Sequence, residues 1–221
     1  MGYLKSTIGQ KQIMGITGLA WALFVLSHMI GNLLIFAGPD AYNKYSYAII
    51  SNPLLYVAEA GLVITLLLHV WKGFALTIGR NKARPVKYAM PTNNDKSARF
   101  QSRFMIFHGS LLLVFIVLHI AAFKYGPGEA EGYLTTINGI EMRDLHRLVV
   151  ERFQNAGFLA FYALCMVGVG LHLSHGFYSS FASLGIYHPR FSPLLSKFGY
   201  LYAALIALGF IAPPIYVFIA R

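Results

Sequence analysis

The chain has 221 residues, of which 57% are hydrophobic and only 12% charged, whereas a soluble domain carries roughly 45–50% and about 25%. That imbalance excludes a water-soluble core of this size and fits one membrane bundle without a detachable module. The net charge of +10 does not point to nucleic acid, because the basic residues lie between apolar runs and form no compact face interleaved with aromatics.

A helix needs about 20 apolar residues to cross the hydrocarbon of a bilayer. Five stretches qualify: 12–37, 53–78, 104–123, 153–180 and 198–220. The expected fold is therefore an all-α integral membrane bundle of five transmembrane helices. Lys5 and Lys11 precede the first run, but no small-residue cleavage site ends it, so no cleavable signal peptide is expected. Gly38-Pro39-Asp40 stops the first span, and Asn52-Pro53 opens the second, with proline where a missing N–H costs least. A compact turn over 187–193 joins the fourth span to the fifth, and Pro213-Pro214 should kink the fifth near its end. The single cysteine, Cys165, lies inside an apolar run. It can form no disulfide within the chain and belongs to no C-x-x-C-H haem-attachment motif, so packing is its expected role.

Flanking charges set the orientation. With the N-terminus in the cytoplasm, twelve of the eighteen Lys and Arg residues fall inside and six outside, and the positive-inside rule favours that arrangement. The loop between the third and fourth spans is then external and holds Glu129, Glu131, Glu141, Asp144 and Glu151. Its apolar positions, Ile140, Leu145, Leu148 and Val149, suggest a short amphipathic helix on the outer surface.

Ionisable groups inside a bilayer are costly and usually functional. Of eight histidines, six lie in the spans: His28 in the first, His69 in the second, His108 and His119 in the third, His172 and His175 in the fourth. His28 and His119 both come late in outward-running helices and share the outer half. His69, His172 and His175 come late in inward-running helices and share the inner half. An outer pair and an inner set, each from two helices, is what two stacked bis-histidine haems require. Neutral imidazole binds iron well, and two axial histidines leave no open position, which suits an electron carrier. Glycines such as Gly18, Gly61, Gly109 and Gly168 would make room for flat macrocycles, although small residues also serve plain helix packing. His108, eleven residues and about 16 Å inward of His119, reads as a partner for a haem propionate or a quinone. His172 and His175 are three apart on roughly one face, and spacing does not choose between them. His146 and His188 read as loop residues.

Several stretches then become recognisable: IGQKQIMGITGL (8–19), LSHMIGNLLIFAGPDAYNKYSYAI (26–49), LLHVWKGFALTIGRNKARPVKYAM (67–90), FIVLHIAAF (115–123) and LHLSHGFYSSFASLGIYHPRFSPL (171–194). On these the chain resembles the di-haem cytochrome b membrane subunit of succinate:quinone oxidoreductases and quinol:fumarate reductases. The resemblance implies that the axial ligands are His28 with His119 for the outer haem b and His69 with His172 for the inner one. His172 begins the H-L-S-H-G segment at the family's ligand position. It further implies a flavoprotein subunit, an iron–sulfur subunit docked on the inner face, and a quinone as electron partner, menaquinone if the source is anaerobic. Electrons would pass between quinone and fumarate or succinate in the bacterial cytoplasmic membrane. The basic segment 80–103 is the expected docking surface. Some family members carry a glutamate two residues before the fourth-span ligand; here that position is Gly170, which puts any mechanism using that acid in doubt.

Glu59 is the only acidic residue within a span, ten residues and about 15 Å outward of His69. A carboxylate near the outer haem could take the proton of a quinol, or could merely sit at a helix start, favoured by its dipole. Two other functions compete. A cytochrome b anchor of another quinone-linked enzyme would have different histidine spacings. A haem-free proton-coupled transporter would be expected to show inverted repeats and broken helices, of which only the proline pair gives a hint.

Overall fold

The computed structural model describes residues 2–83 and 104–220. Five helices in it are long and apolar enough to cross a membrane, at the five places the apolar runs predict. The first, α1 (Thr7–Asn32), is capped by Ser6, whose hydroxyl oxygen accepts from the Gly9 N–H at 3.1 Å. It tightens into a 3-10 segment over Leu33–Ala37. Gly38, at φ 96°, a conformation open chiefly to glycine, then redirects the chain into α2 (Pro39–Ile50). α2 lies outside the expected spans and was not anticipated from the apolar pattern.

The second span is α3 (Leu54–Ala83) and the third is α4 (Met105–His119), continued by a π-helical turn over Ile120–Lys124. The connection that follows is not helical at first. β1 (Leu134–Ile137) pairs antiparallel with β2 (Ile140–Arg143), Leu134 standing opposite Arg143. Asn138 at φ 55° and Gly139 at φ 76° make the turn, the two positive φ values that a two-residue hairpin loop favours. The amphipathic helix expected over this loop is confined to α5 (Leu145–Phe153), capped by Asp144 through the Arg147 N–H at 3.0 Å, and Ile140 belongs to the strand instead. The membrane bundle is helical as expected, with a two-stranded hairpin in the loop outside it.

The fourth span, α6 (Ala156–Ser183), is capped by Asn155. The fifth, α7 (Ser192–Ile219), begins six residues before the expected 198 because Pro193 sits in its first turn, where a missing N–H is no loss. The turn expected over 187–193 is correspondingly shorter. Pro213 and Pro214 are buried, and α7 runs on through both to Ile219.

α6 packs along α7, and α1 lies against α6 and α3. Ile206 of α7 is fully buried, and the Tyr202 hydroxyl donates to the Ala22 carbonyl of α1 at 2.5 Å. α3 is held differently: it rests on α1, touches α4, and none of its residues is buried. Three contacts gather helix ends at one level, here named the hairpin end. Lys124 after α4 pairs with Glu59 near the start of α3. Gln154, just before α6, donates to the Val217 carbonyl near the end of α7 at 2.7 Å, satisfying an acceptor that the helix itself leaves unpaired. Asn43 of α2 binds Asp144. Of the basic segment 80–103, Arg80 and Lys82 occupy the last turn of α3, and 84–103 lies outside the described residues.

Candidate cofactor-binding site

Each of four spans turns one stripe of residues inward, spaced three or four apart as a helix face demands. On α1 the stripe is Thr17, Trp21, Phe24 and His28; on α4 it is His108, Leu112, Phe115 and His119. On α3 it includes Glu59, Leu66 and His69, and on α6 Tyr162, Cys165, Val169 and His172. Every stripe carries two polar residues ten or eleven positions apart, about 15–16 Å along the axis. The result is two polar levels separated by apolar packing.

At the hairpin end, the rings of His28 and His119 stand edge to face with centroids 5.8 Å apart and planes at 86°. At the other level, His69 and His172 stand with centroids 6.2 Å apart and planes at 59°. These are the two pairs expected from depth and from the family resemblance, and each joins two different helices. His108 and His175 are near enough to His172 to interact with it electrostatically, so the second level holds four histidines.

The pair geometry can be tested against a metal with one imidazole on each side. An imidazole nitrogen lies about 2 Å from such an ion, as it does for zinc, so the two ring centroids would be about 6 Å apart. Both pairs have about that centroid separation, at 5.8 and 6.2 Å. Among the described residues no three His, Cys, Asp or Glu converge as a bare metal cage would need. Two imidazoles at that separation match the axial pair of a metal held in a macrocycle. Three buried nitrogens on the inward stripes, Trp21 Nε1, His108 Nδ1 and His172 Nδ1, have no hydrogen-bond partner among the described residues. Buried polar nitrogens are rarely left so, and a polar cofactor edge is one partner of the right chemistry.

The surroundings fit flat rings. Phe24 stacks on His28 at 5.3 Å and 15°, while Phe115 and Phe123 flank His119 at 5.5 and 5.4 Å. Backbone comes close at Gly18, where an added Cβ would lie 3.2 Å from His69 Cε1 and 3.2 Å from Ser180 Oγ. At Gly109 an added Cβ would lie 3.6 Å from His172 Cε1.

Hydrogen bonds fix some of the rings. His119 Nδ1 lies 2.7 Å from the Tyr162 hydroxyl. His69 Nδ1 lies 3.1 Å from Thr17 Oγ1, which itself donates to the Ile13 carbonyl at 2.8 Å. With Thr17 donating to Ile13, its oxygen is free to accept from an Nδ1–H of His69, the tautomer that offers Nε2 to a metal. Near His28, Asn32 bridges the His28 carbonyl at 2.8 Å and the Tyr42 hydroxyl at 3.1 Å.

Tyr162, Thr17 and Asn32 have no place in the sequence reading, which sorts the histidines and Glu59 by depth. The same bookkeeping would have found two of them. Tyr162 is ten residues from His172 toward the hairpin end, at the level of His119. Thr17 is eleven residues from His28 away from the hairpin end, at the level of His69. Glu59, expected near the hairpin-end pair, lies on the stripe of His69 at that end and forms an ion pair with Lys124.

The chain was compared with protein-family models, with curated proteins and with solved structures. None of the three gives a match.

Proposed function

We propose that this chain is the membrane-spanning electron-transfer subunit of a quinone-linked oxidoreductase of the succinate:quinone and quinol:fumarate class. In this reading His28 and His119 hold one haem b and His69 with His172 hold the second. The observation that carries it is a pair of histidines from two helices at each of two levels, with ring separations of 5.8 and 6.2 Å. A haem bound between two histidines supplies one-electron transfer at an iron with no open position.

The chain's own residues do the rest. Tyr162 and Thr17 fix two of the four imidazoles through Nδ1, as partners of metal-ligating histidines commonly do. Phe24, Phe115 and Phe123 line the outer level with apolar rings and keep water from it. Glu59, at the outer end of α3, takes a proton from quinol, with Lys124 beside it orienting the carboxylate. On the inner side the basic residues at and beyond the end of α3 receive an iron–sulfur subunit, which in turn carries a flavoprotein subunit. The protein resides in a bacterial cytoplasmic membrane with its N-terminus inside, and menaquinone is the quinone favoured.

A reduced-minus-oxidised optical spectrum with a haem-to-protein ratio on the purified membrane protein tests this. Two b-type haems per chain is the expected result. A haem-free protein isolated from a haem-replete cell would return the histidines to a proton-coupled transporter.

A further inference from the structure

The four proposed ligands are not supported alike. His119 Nδ1 meets the Tyr162 hydroxyl at 2.7 Å. Tyr162 is buried and its ring is held among Phe115, Phe153 and Phe158, with centroids 5.0, 4.9 and 4.8 Å away. The hydroxyl therefore has little freedom to swing aside. At the other level the contact from His69 to Thr17 is longer, at 3.1 Å, and the threonine hydroxyl is shared with backbone carbonyls. His172 Nδ1 has no partner among the described residues.

We propose that Tyr162 is a positioning residue that fixes the orientation of His119 and lowers the reduction potential of the haem at the hairpin end. Its role presupposes the di-haem assignment. A histidine that offers Nε2 to iron carries its proton on Nδ1, so Nδ1–H donates and the tyrosine oxygen accepts. Donation draws the imidazole toward imidazolate character and raises its basicity as a ligand. A more basic ligand stabilises the oxidised iron more than the reduced, and the potential falls. The π-helical turn over Ile120–Lys124 follows His119 directly, an irregularity common at functional sites.

The experiment is a potentiometric titration of both haems in the complete membrane protein, followed optically and by low-spin electron paramagnetic resonance. Tyr162→Phe should retain two haems, raise the potential of the hairpin-end haem, change its resonance signature and leave the other haem where it was. Site-specific replacement of Tyr162 by a fluorinated tyrosine keeps the shape but makes the oxygen a poorer acceptor. It should raise the same potential by less, and it decides the matter if Tyr162→Phe loses the haem. Two haems with unchanged potentials in the fluorinated protein would overturn the role of Tyr162 while leaving the di-haem assignment intact. A wild-type protein without haem would overturn the di-haem assignment itself.

Discussion

Asn43 and Asp144 stand 101 residues apart in the chain and meet through the Asn43 side-chain amide, which donates to Asp144 Oδ1 at 2.9 Å. The Asn43 carbonyl oxygen in turn accepts from the His146 N–H at 2.9 Å. Asn43 is only 1% exposed, so neither bond is exchanged for water. Asp144 uses the same oxygen to cap α5. One side chain thus ties α2 to the helix that follows the hairpin and closes the hairpin end of the bundle. Asn43→Leu preserves the volume but strands an acceptor and a donor. A loss of about 2–4 kcal/mol is expected, from one charge-assisted and one neutral hydrogen bond. Chemical unfolding in detergent should show it, with Asp144→Asn much milder because asparagine still caps.

The same closure is acid-sensitive. Burial holds the His146 imidazole below its ordinary value of 6.5, and the neighbouring Asp144 only partly offsets this. A base whose pKa is depressed in the folded state binds fewer protons folded than unfolded. Its stabilising contribution is whole above about 6.5 and is lost as pH falls from there toward the folded value. His146→Phe keeps a ring against Tyr42, whose centroid is 6.1 Å away, and cannot titrate. The melting temperature of the wild type should therefore fall more steeply than that of His146→Phe on acidification from about pH 7.5 to about pH 5.5. Parallel curves would exclude His146 as the sensor.

The proposed assignment of one haem to each histidine level predicts separable losses. His119→Ala should remove one haem and leave the other, and His69→Ala should do the reverse, both read as haem per chain and as two distinct midpoint potentials. Gly18→Leu should imitate His69→Ala without replacing a ligand. Its side chain would start 3.2 Å from His69 Cε1 and 3.2 Å from Ser180 Oγ, with no room to extend. A His119→Ala protein with its full haem content would break the pairing.

Hydrophobic length made the five spans legible, and helical rise made the histidine levels legible, because both depend on counting along one chain. What the count missed depends on local backbone chemistry. The Asn138-Gly139 dipeptide between Leu134-Thr135-Thr136-Ile137 and Ile140-Glu141-Met142-Arg143 is a strong hairpin signal. It was obscured because the apolar residues after it also suit an amphipathic helix, and α5 begins only two residues beyond β2. The early start of α7 turns on Pro193, which reads equally as a turn residue or as the first turn of a helix. The count along α6 puts Tyr162 at the level of His119, but the contact between the two, 43 residues apart in the chain, is set by how α4 packs on α6 and carries no sequence signal.

Glu59 is the remaining group whose chemistry can be separated from its structural role. It pairs with Lys124, both side chains being partly exposed at 31% and 43%, a setting in which ion pairs stabilise by about 1 kcal/mol or less. Glu59→Gln should therefore leave the fold and both haems in place. If the carboxylate accepts the proton of quinol, rates of quinol oxidation should fall by about 10²-fold or more, the usual loss on removing a general base. Lys124→Met breaks the same ion pair while keeping the carboxylate. It should retain most of the activity, and equal losses in the two variants would make the pair a structural tie and not a proton acceptor. Full quinol oxidation in Glu59→Gln, with haem reduction by quinol unchanged, would move the proton acceptor elsewhere on the outer side.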